Sequence, residues 1–472
     1  MTSTTKIIRW SLLTASGAVL VSGCMMKPSQ TPQLERELQK QGAPYAKPFA
    51  QRTLPELATP ATWQDVLQRA FLANGELEAS YHEWRAAMER ISMASYWPNS
   101  NVSLGFEYMF SKESLKTWDR VTVTSGFDQA APLTSIPKVK KGGQIALENA
   151  NQAAQTFRSN KFRIQKQVLN AYFDLALMEE QIRIEQDNGQ LLRTMLDNAR
   201  SRVAAGGAQQ DMYKAQLAVR VSENDLKTMQ SQAHAMRAML NGMMNRNPDA
   251  AIVLPAQLPP ARAILADDDA LIAMGVDRNP ELARLAAQVQ GRADAIELAK
   301  MQYIPDISPT AAINGSISRT LGAMITVPTT IPIINASIRE AKAMREASEA
   351  MLRQTRQEKA AGFVATLYAM RNAEREETFF NEQVLPLSRE VVKTSRQDYI
   401  AGRVGLVEMI DSQRMLLEVH RSTAQMRMDR EKRLAELEEL AGVDVEVLGR
   451  PATTMPATMP ATVPAPVQVN SN

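Results

Sequence analysis

The chain repeats itself once, at an offset of about 200 residues. Asn74-Gly75-Glu76-Leu77 is echoed by Asn279-Pro280-Glu281-Leu282, and Tyr96-Trp97-Pro98 by Tyr303-Ile304-Pro305. The Gly206/Gly207 break and the segment after it are echoed by Gly402 and its own following segment, and Gln216 by Gln413. Length alone would allow 472 residues to form two to four unrelated domains. The repeat narrows this to two copies of one unit, joined by a Pro-rich linker from Pro248 to Pro260.

Both copies predict the same layout. A helix over 64–95, and again over 267–302, ends at a proline. Two short strands follow, then a very long helix over 142–204 and 337–400. A glycine turn leads into a second long helix over 208–243 and 405–441. Apolar residues recur at helical spacing at Leu217, Val221, Met229, Ala233, Met236 and Leu240, and at Leu416, Val419, Met426, Leu434, Leu437 and Ala441. Hydrophobic residues make up 44% of the chain but aromatics only 5%, so small side chains must do the packing, as in coiled coils. A helix of about 63 residues is roughly 95 Å long and has no core of its own, so it must lie against other rods. The fold class is therefore mainly α with a small β part, built as two tandem units of long coiled-coil helices plus β-hairpins.

The strand segments carry the functional information. Val102, Leu104, Phe106, Tyr108 and Phe110 alternate with Ser103, Gly105, Glu107 and Met109. That is period two over the length of a transmembrane β-strand. Val121, Val123 and Phe127 alternate with Thr122, Thr124 and Gly126, and the second copy offers strands over 307–313 and 321–327 around Asn314-Gly315-Ser316. Tyr96, Trp97, Phe106, Tyr108, Phe110, Trp118 and Phe127 cluster as an interfacial aromatic belt would. Lipid tolerates no open sheet edge, and four strands cannot close a barrel. Membrane-crossing strands would have to be shared between chains, and a trimer with twelve leaves an aqueous bore where a dimer with eight does not.

Composition excludes several function classes. Lys and Arg number 54 against 51 Asp and Glu, a balance that gives no basic stripe for nucleic acid. One cysteine allows no internal disulfide and no Cys-based zinc site. His82, His234 and His420 are too scattered in sequence for a metal centre or a catalytic triad. No nucleotide loop or nucleophile arrangement is present, so the expectation is a non-enzyme without cofactor or metal. Met236, Met239, Met243, Met244, Met426 and Met428 could suit a soft ion, but at helical spacing they read as core filler.

The termini read as address and tail. Lys6 and Arg9 precede an apolar run from Trp10 to Val21, too short for a membrane span and suited to a secretion signal. Val21-Ser22-Gly23-Cys24 resembles a bacterial lipobox, which implies acylation of Cys24, and Met25 in place of Asp points to the outer membrane. The resulting organisation is a signal peptide (1–23), a lipidated Pro-rich extended lead-in (24–61), a first unit (62–247), a linker (248–263), a second unit (264–445) and an uncharged, disordered Pro/Ala/Thr tail (446–472).

Taken from the residues, two readings stand: a channel, or a lipid-anchored periplasmic coiled-coil scaffold. The motifs Val384-Leu385-Pro386-Leu387, Tyr399-Ile400-Ala401-Gly402 and Glu408-Met409-Ile410-Asp411-Ser412-Gln413, with the paired layout over about 62–445, resemble the TolC-like outer membrane efflux channels. The resemblance implies a homotrimer with a 12-strand barrel in the outer membrane and an α-helical barrel across the periplasm. It implies docking onto a periplasmic membrane-fusion adaptor and an inner-membrane transporter of RND or ABC type. The docking tips would be the turns holding Gly206, Gly207, Gly402 and Gly405. Glu408 and Asp411, six and nine positions after Gly402, would form an acidic gate ring. An Asp–Tyr latch would fall on Asp211 and Tyr399, while the position of the family's partnering Arg is Val404, beside Arg403.

Overall fold

The computed structural model describes residues 26–96, 102–110, 116–127, 136–264, 266–314 and 318–444. Cys24, the signal segment and the tail lie outside the described residues.

The lead-in is not wholly extended. Helix α1 (Thr31–Gly42) forms within it because Pro32 sits at the helix start, where a missing N–H costs nothing. Its Leu34 and Leu38 face the main core. The segment expected as one helix is two, α2 (Trp63–Ala73) and α3 (Gly75–Ser95). Thr62 and Asp65 close a capping box at the start of α2. Asn74 then adopts extended backbone, and its side chain accepts from the N–H groups of Glu76 and Leu77, ending one helix and capping the next.

Strands β1 (Val102–Tyr108) and β2 (Val121–Phe127) lead to α4 (Ile136–Ala204), a single helix of 69 residues that starts earlier than its periodicity suggests. Helix α5 (Gln209–Met243) returns along it. The linker then runs without regular structure, held by Asn241, whose side-chain amide donates to the carbonyls of Pro248 and Ala250.

The second passage has the same order: α6 (Asp268–Asp277), α7 (Pro280–Lys300), β3 (Asp306–Asn314), β4 (Ser318–Thr326), α8 (Ile331–Phe379), α9 (Leu385–Ile400) and α10 (Leu406–Ala441). Asn279 repeats the role of Asn74, its side chain accepting from Leu282 N, with Pro280 at the helix start. The copies differ in their long helices. The segment expected as an unbroken helix over 337–400 is divided by a π turn at Phe380–Val384. Pro386 follows it; the ring has no N–H for the carbonyl of Glu382 and would clash with it in a regular helix.

The main core joins α2, α3, α4, α5 and α10 and buries Trp84, Phe157, Tyr172 and Phe173. Met244 and Met428 are fully buried in it, as core filler. The linker's Arg262 reaches α10, where it pairs with Glu431 and Glu438, all nearly excluded from solvent. Among the described residues no helix is long and apolar enough to cross a membrane.

Candidate functional site

The four strands form one antiparallel sheet in the order β1-β2-β3-β4, not two separate hairpins. The joint is β2 with β3, where Val123 faces Ile313 across the ladder. Among the described residues β1 and β4 are the outer strands, each with one strand neighbour. Register decides what each face carries. Phe106 pairs with Val123 and Tyr108 with Val121, which places all four on one face. Ile307 is an even number of residues from Ile313 and pairs with Ile325, so it continues that face across the second hairpin. The opposite face takes Gly105, Glu107, Thr122, Asp306, Ser318, Thr320, Gly322, Met324 and Thr326, while Arg319, paired with Ile313, lies on the face of Phe106. The apolar face is uncovered in the chain: Phe106 is 73% exposed and Ile325 61%. Tyr108 and Phe110 stack edge-to-face at 4.9 Å.

At the other end of the rods, α4 turns into α5 and α9 into α10. Both turns are Schellman motifs, and the spacing of backbone bonds is identical. Gly207 N donates to Arg202 O at 2.8 Å and Gly206 N to Val203 O at 3.0 Å. Arg403 N donates to Asp398 O at 2.8 Å and Gly402 N to Tyr399 O at 3.1 Å. Gly206 (φ 95°) and Gly402 (φ 75°) take the left-handed backbone that this motif requires. Gly207 is needed for another reason: a Cβ there would lie 2.8 Å from Arg202 O.

A small apolar cluster lies just inside the tips. Leu192, Met195, Leu196 and Ala199 of α4, Ala215 and Val219 of α5, Tyr399 of α9, and Leu406, Met409 and Ile410 of α10 are buried together. Ser395 and Ser412 share a hydroxyl hydrogen bond of 2.8 Å between α9 and α10.

The acidic pair expected at the gate, Glu408 and Asp411, lies exposed on the first turns of α10, one face apart by three residues. Asp411 is 3.6 Å from Arg414 on the same helix. The expected Asp211–Tyr399 hydrogen bond is not made. Tyr399 is 6% exposed and its hydroxyl has no hydrogen-bond partner. Asp211 instead occupies the first turn of α5, where the helix dipole favours a carboxylate. Arg403, beside the position where an arginine was expected, pairs with Asp398 of its own turn, Nε to Oδ1 at 2.8 Å. The residue that does reach Tyr399 from the other hairpin is Arg202: its Nη2 donates to Tyr399 O at 2.7 Å, and its guanidinium carbon sits 4.2 Å from the ring centroid. Sequence reasoning missed it, although its place four before Gly206 mirrors the near-tip place of Tyr399, three before Gly402.

Residues 271–443 match the family model described as outer membrane efflux protein. Over 226 residues the chain is 25% identical to the fusaric acid resistance protein FusA of Burkholderia cepacia, a match covering 47% of this chain. The match takes in 41% of FusA, so the chain spans less than half of that relative's length. Among solved structures, the outer membrane protein VceC of Vibrio cholerae superposes with a TM-score of 0.67 at 14% identity, covering 81% of this chain and 96% of VceC. The open state of the MtrE outer membrane channel of Neisseria gonorrhoeae gives 0.66 at 16% identity, covering 81% of this chain and 89% of MtrE. CusC gives 0.66 at 14% identity, covering 85% of this chain and 97% of CusC. At these identities the likeness is one of fold.

Proposed function

We propose that this chain, which carries an outer membrane efflux protein domain over residues 271–443 and has the fold of TolC-like outer membrane channels, is the passive outer-membrane duct of a tripartite efflux or secretion system. The observation that carries the reading is the two-faced sheet. A mostly apolar face of Phe106, Tyr108, Val121, Val123, Ile307 and Ile325, with Arg319 near the start of β4, backs onto a face mostly of Gly, Thr and acidic residues that also carries Met324. Lipid outside and water inside is the environment that pattern suits. The open edges at β1 and β4 are unsustainable in hydrocarbon, so three copies pair edge to edge into a 12-strand barrel. A scaffold without a channel gives the uncovered apolar face nothing to meet.

In this reading the long helices of both units, 62–247 and 264–445, form the periplasmic conduit, with the linker 248–263 joining them. Cys24 carries the acyl anchor in the outer membrane. The turns with Gly206, Gly207, Gly402 and Gly405 dock the periplasmic adaptor, through which the inner-membrane transporter supplies energy. The duct performs no chemistry. Glu408 and Asp411 from three chains form a ring of six carboxylates that favours cations. The relative FusA is named for resistance to fusaric acid, so a small organic molecule is the proposed cargo class.

Reversal potentials in a salt gradient across a planar bilayer test this reading. The wild type should conduct with cation selectivity, and Glu408→Ala with Asp411→Ala should lower that selectivity. Conductance with identical reversal potentials in both proteins would remove the ring. Silence from a purified protein that is monomeric would remove the duct.

A further inference from the structure

We propose that Arg319 is a lipid contact: from the outward face of the sheet its guanidinium holds the phosphate of a lipid headgroup in the outer leaflet. The proposal rests on the duct reading and names a lipid partner for its barrel.

The register isolates this residue. Arg319 pairs with Ile313, Ile313 with Val123 and Val123 with Phe106, so the four stand in one row on the apolar face. Every other position that the register of the four strands assigns to that face is apolar, apart from Ser125. Arg319 is thus the one charge on the face among the described residues. It is exposed, and no carboxylate or aromatic ring of the described residues partners it. A cation on a face that otherwise meets hydrocarbon needs an anion within reach.

Its height on the sheet fits a headgroup. Helices α3, α4, α7 and α8 all join the strands at one end, and Arg319 stands one row from the other, beside the last pair Asn314–Ser318. The exposed rings of Phe106, Tyr108, Phe110 and Trp118 gather at that same far end. Aromatic girdles mark the level where hydrocarbon gives way to headgroups. An arginine facing lipid is costly at the bilayer midplane and tolerated at that level. Its flat fork of donors matches two phosphate oxygens. From Arg319 towards the helices the same face of β4 continues through Ala323 and Ile325, with Ile307 paired beside Ile325. A cation above an apolar track suits a phosphate that carries acyl chains, whereas a free phosphate leaves the track uncovered.

The test is native mass spectrometry of the purified full-length protein in micelles holding equimolar phosphatidic acid and phosphatidylcholine with the same acyl chains. Phosphatidic acid presents a bare phosphate monoester, while choline offsets the charge of the other headgroup. Wild type should retain phosphatidic acid over phosphatidylcholine about tenfold, the effect of one charge-assisted hydrogen-bonded pair. Arg319→Met and Arg319→Gln should retain the two lipids equally, and Arg319→Lys should fall between, since it keeps the charge without the fork. Equal retention by wild type, or a preference unchanged in both neutral variants, overturns the contact and leaves Arg319 turned to water. A preference that excess sodium phosphate abolishes overturns the lipid assignment in favour of a free phosphate. Planar-bilayer current from the same samples keeps the two readings apart. A wild type that conducts without the lipid preference loses the contact and keeps the duct. A silent, monomeric wild type without the preference loses both.

Discussion

Arg262 Nε lies 2.9 Å from Glu431 Oε2, and neither side chain is more than 6% exposed. The same guanidinium reaches Glu438 Oε1 at 3.0 Å, so one linker cation serves two buried carboxylates of α10. Burial drives the Glu438 carboxyl above the usual carboxylate range, with Arg262 the largest opposing influence. Arg262→Met should therefore cost about 3–5 kcal/mol, because it leaves buried charge uncompensated. The pH dependence has a fixed sign. A carboxyl whose folded pKa is raised favours the fold below its unfolded value and loses that contribution as pH rises through the folded one. Without Arg262 the folded value climbs further, so urea midpoints of Arg262→Met should fall short of wild type by more at about pH 8 than at about pH 5. An equal deficit at both would show that the Arg262 contribution is packing, not charge.

His420, half-buried on α10, has its pKa pushed below 6.5, first by burial and then by Arg389, with Asp187 partly opposing. The folded state prefers the neutral ring. Stability is then complete above the ordinary histidine value and declines as pH falls from 6.5 towards the depressed folded value. His420→Gln should flatten that stretch of the stability–pH curve. A slope there that is the same in both proteins would assign the acid response to other groups.

Pro386 stands two residues after the π turn at Phe380–Val384, where it offers no N–H to the carbonyl of Glu382. Pro386→Ala restores an N–H that can bond the carbonyl of Glu382, removing the reason for the wide turn. Amide hydrogen exchange over 380–386 should slow in the variant. Exchange that stays as fast as in wild type would mean that tertiary packing, not the proline, holds the turn.

Local signals in the sequence located most elements, and non-local ones escaped it. Period two marked β1 and β2, and the glycine pairs marked the tips, because each is written in neighbouring residues. The Asn74 and Asn279 motifs were visible as a repeat, yet their capping role breaks two helices that periodicity alone runs together. Proline density around α1 masked a helix whose Pro32 merely occupies its start. The Val123–Ile313 pairing and the Arg202–Tyr399 contact join residues nearly 200 apart, and only the folded chain brings them together.

The four tip glycines divide by what their backbones require, and that division separates folding from docking. Gly206 and Gly402 have positive φ, so alanine at either should cost about 1–2 kcal/mol. Gly207 has ordinary φ but no room, since its Cβ would press on Arg202 O. Gly207→Ala should therefore distort the turn and lower the melting temperature of the purified protein. Gly405 has neither constraint: it caps α10 in extended backbone (φ −79°, ψ 165°), and a Cβ there meets nothing within 4 Å. Serine is at least as good a cap, so Gly405→Ser should leave the melting temperature of the purified protein unchanged or raise it by the equivalent of a few tenths of a kcal/mol. If Gly405 is nonetheless a docking residue, the same variant should lose resistance to small organic toxicants in cells that hold the proposed assembly, with protein stability and bilayer current intact. Full resistance in those cells would take Gly405 out of the docking surface, leaving the other three glycines as requirements of the turns themselves.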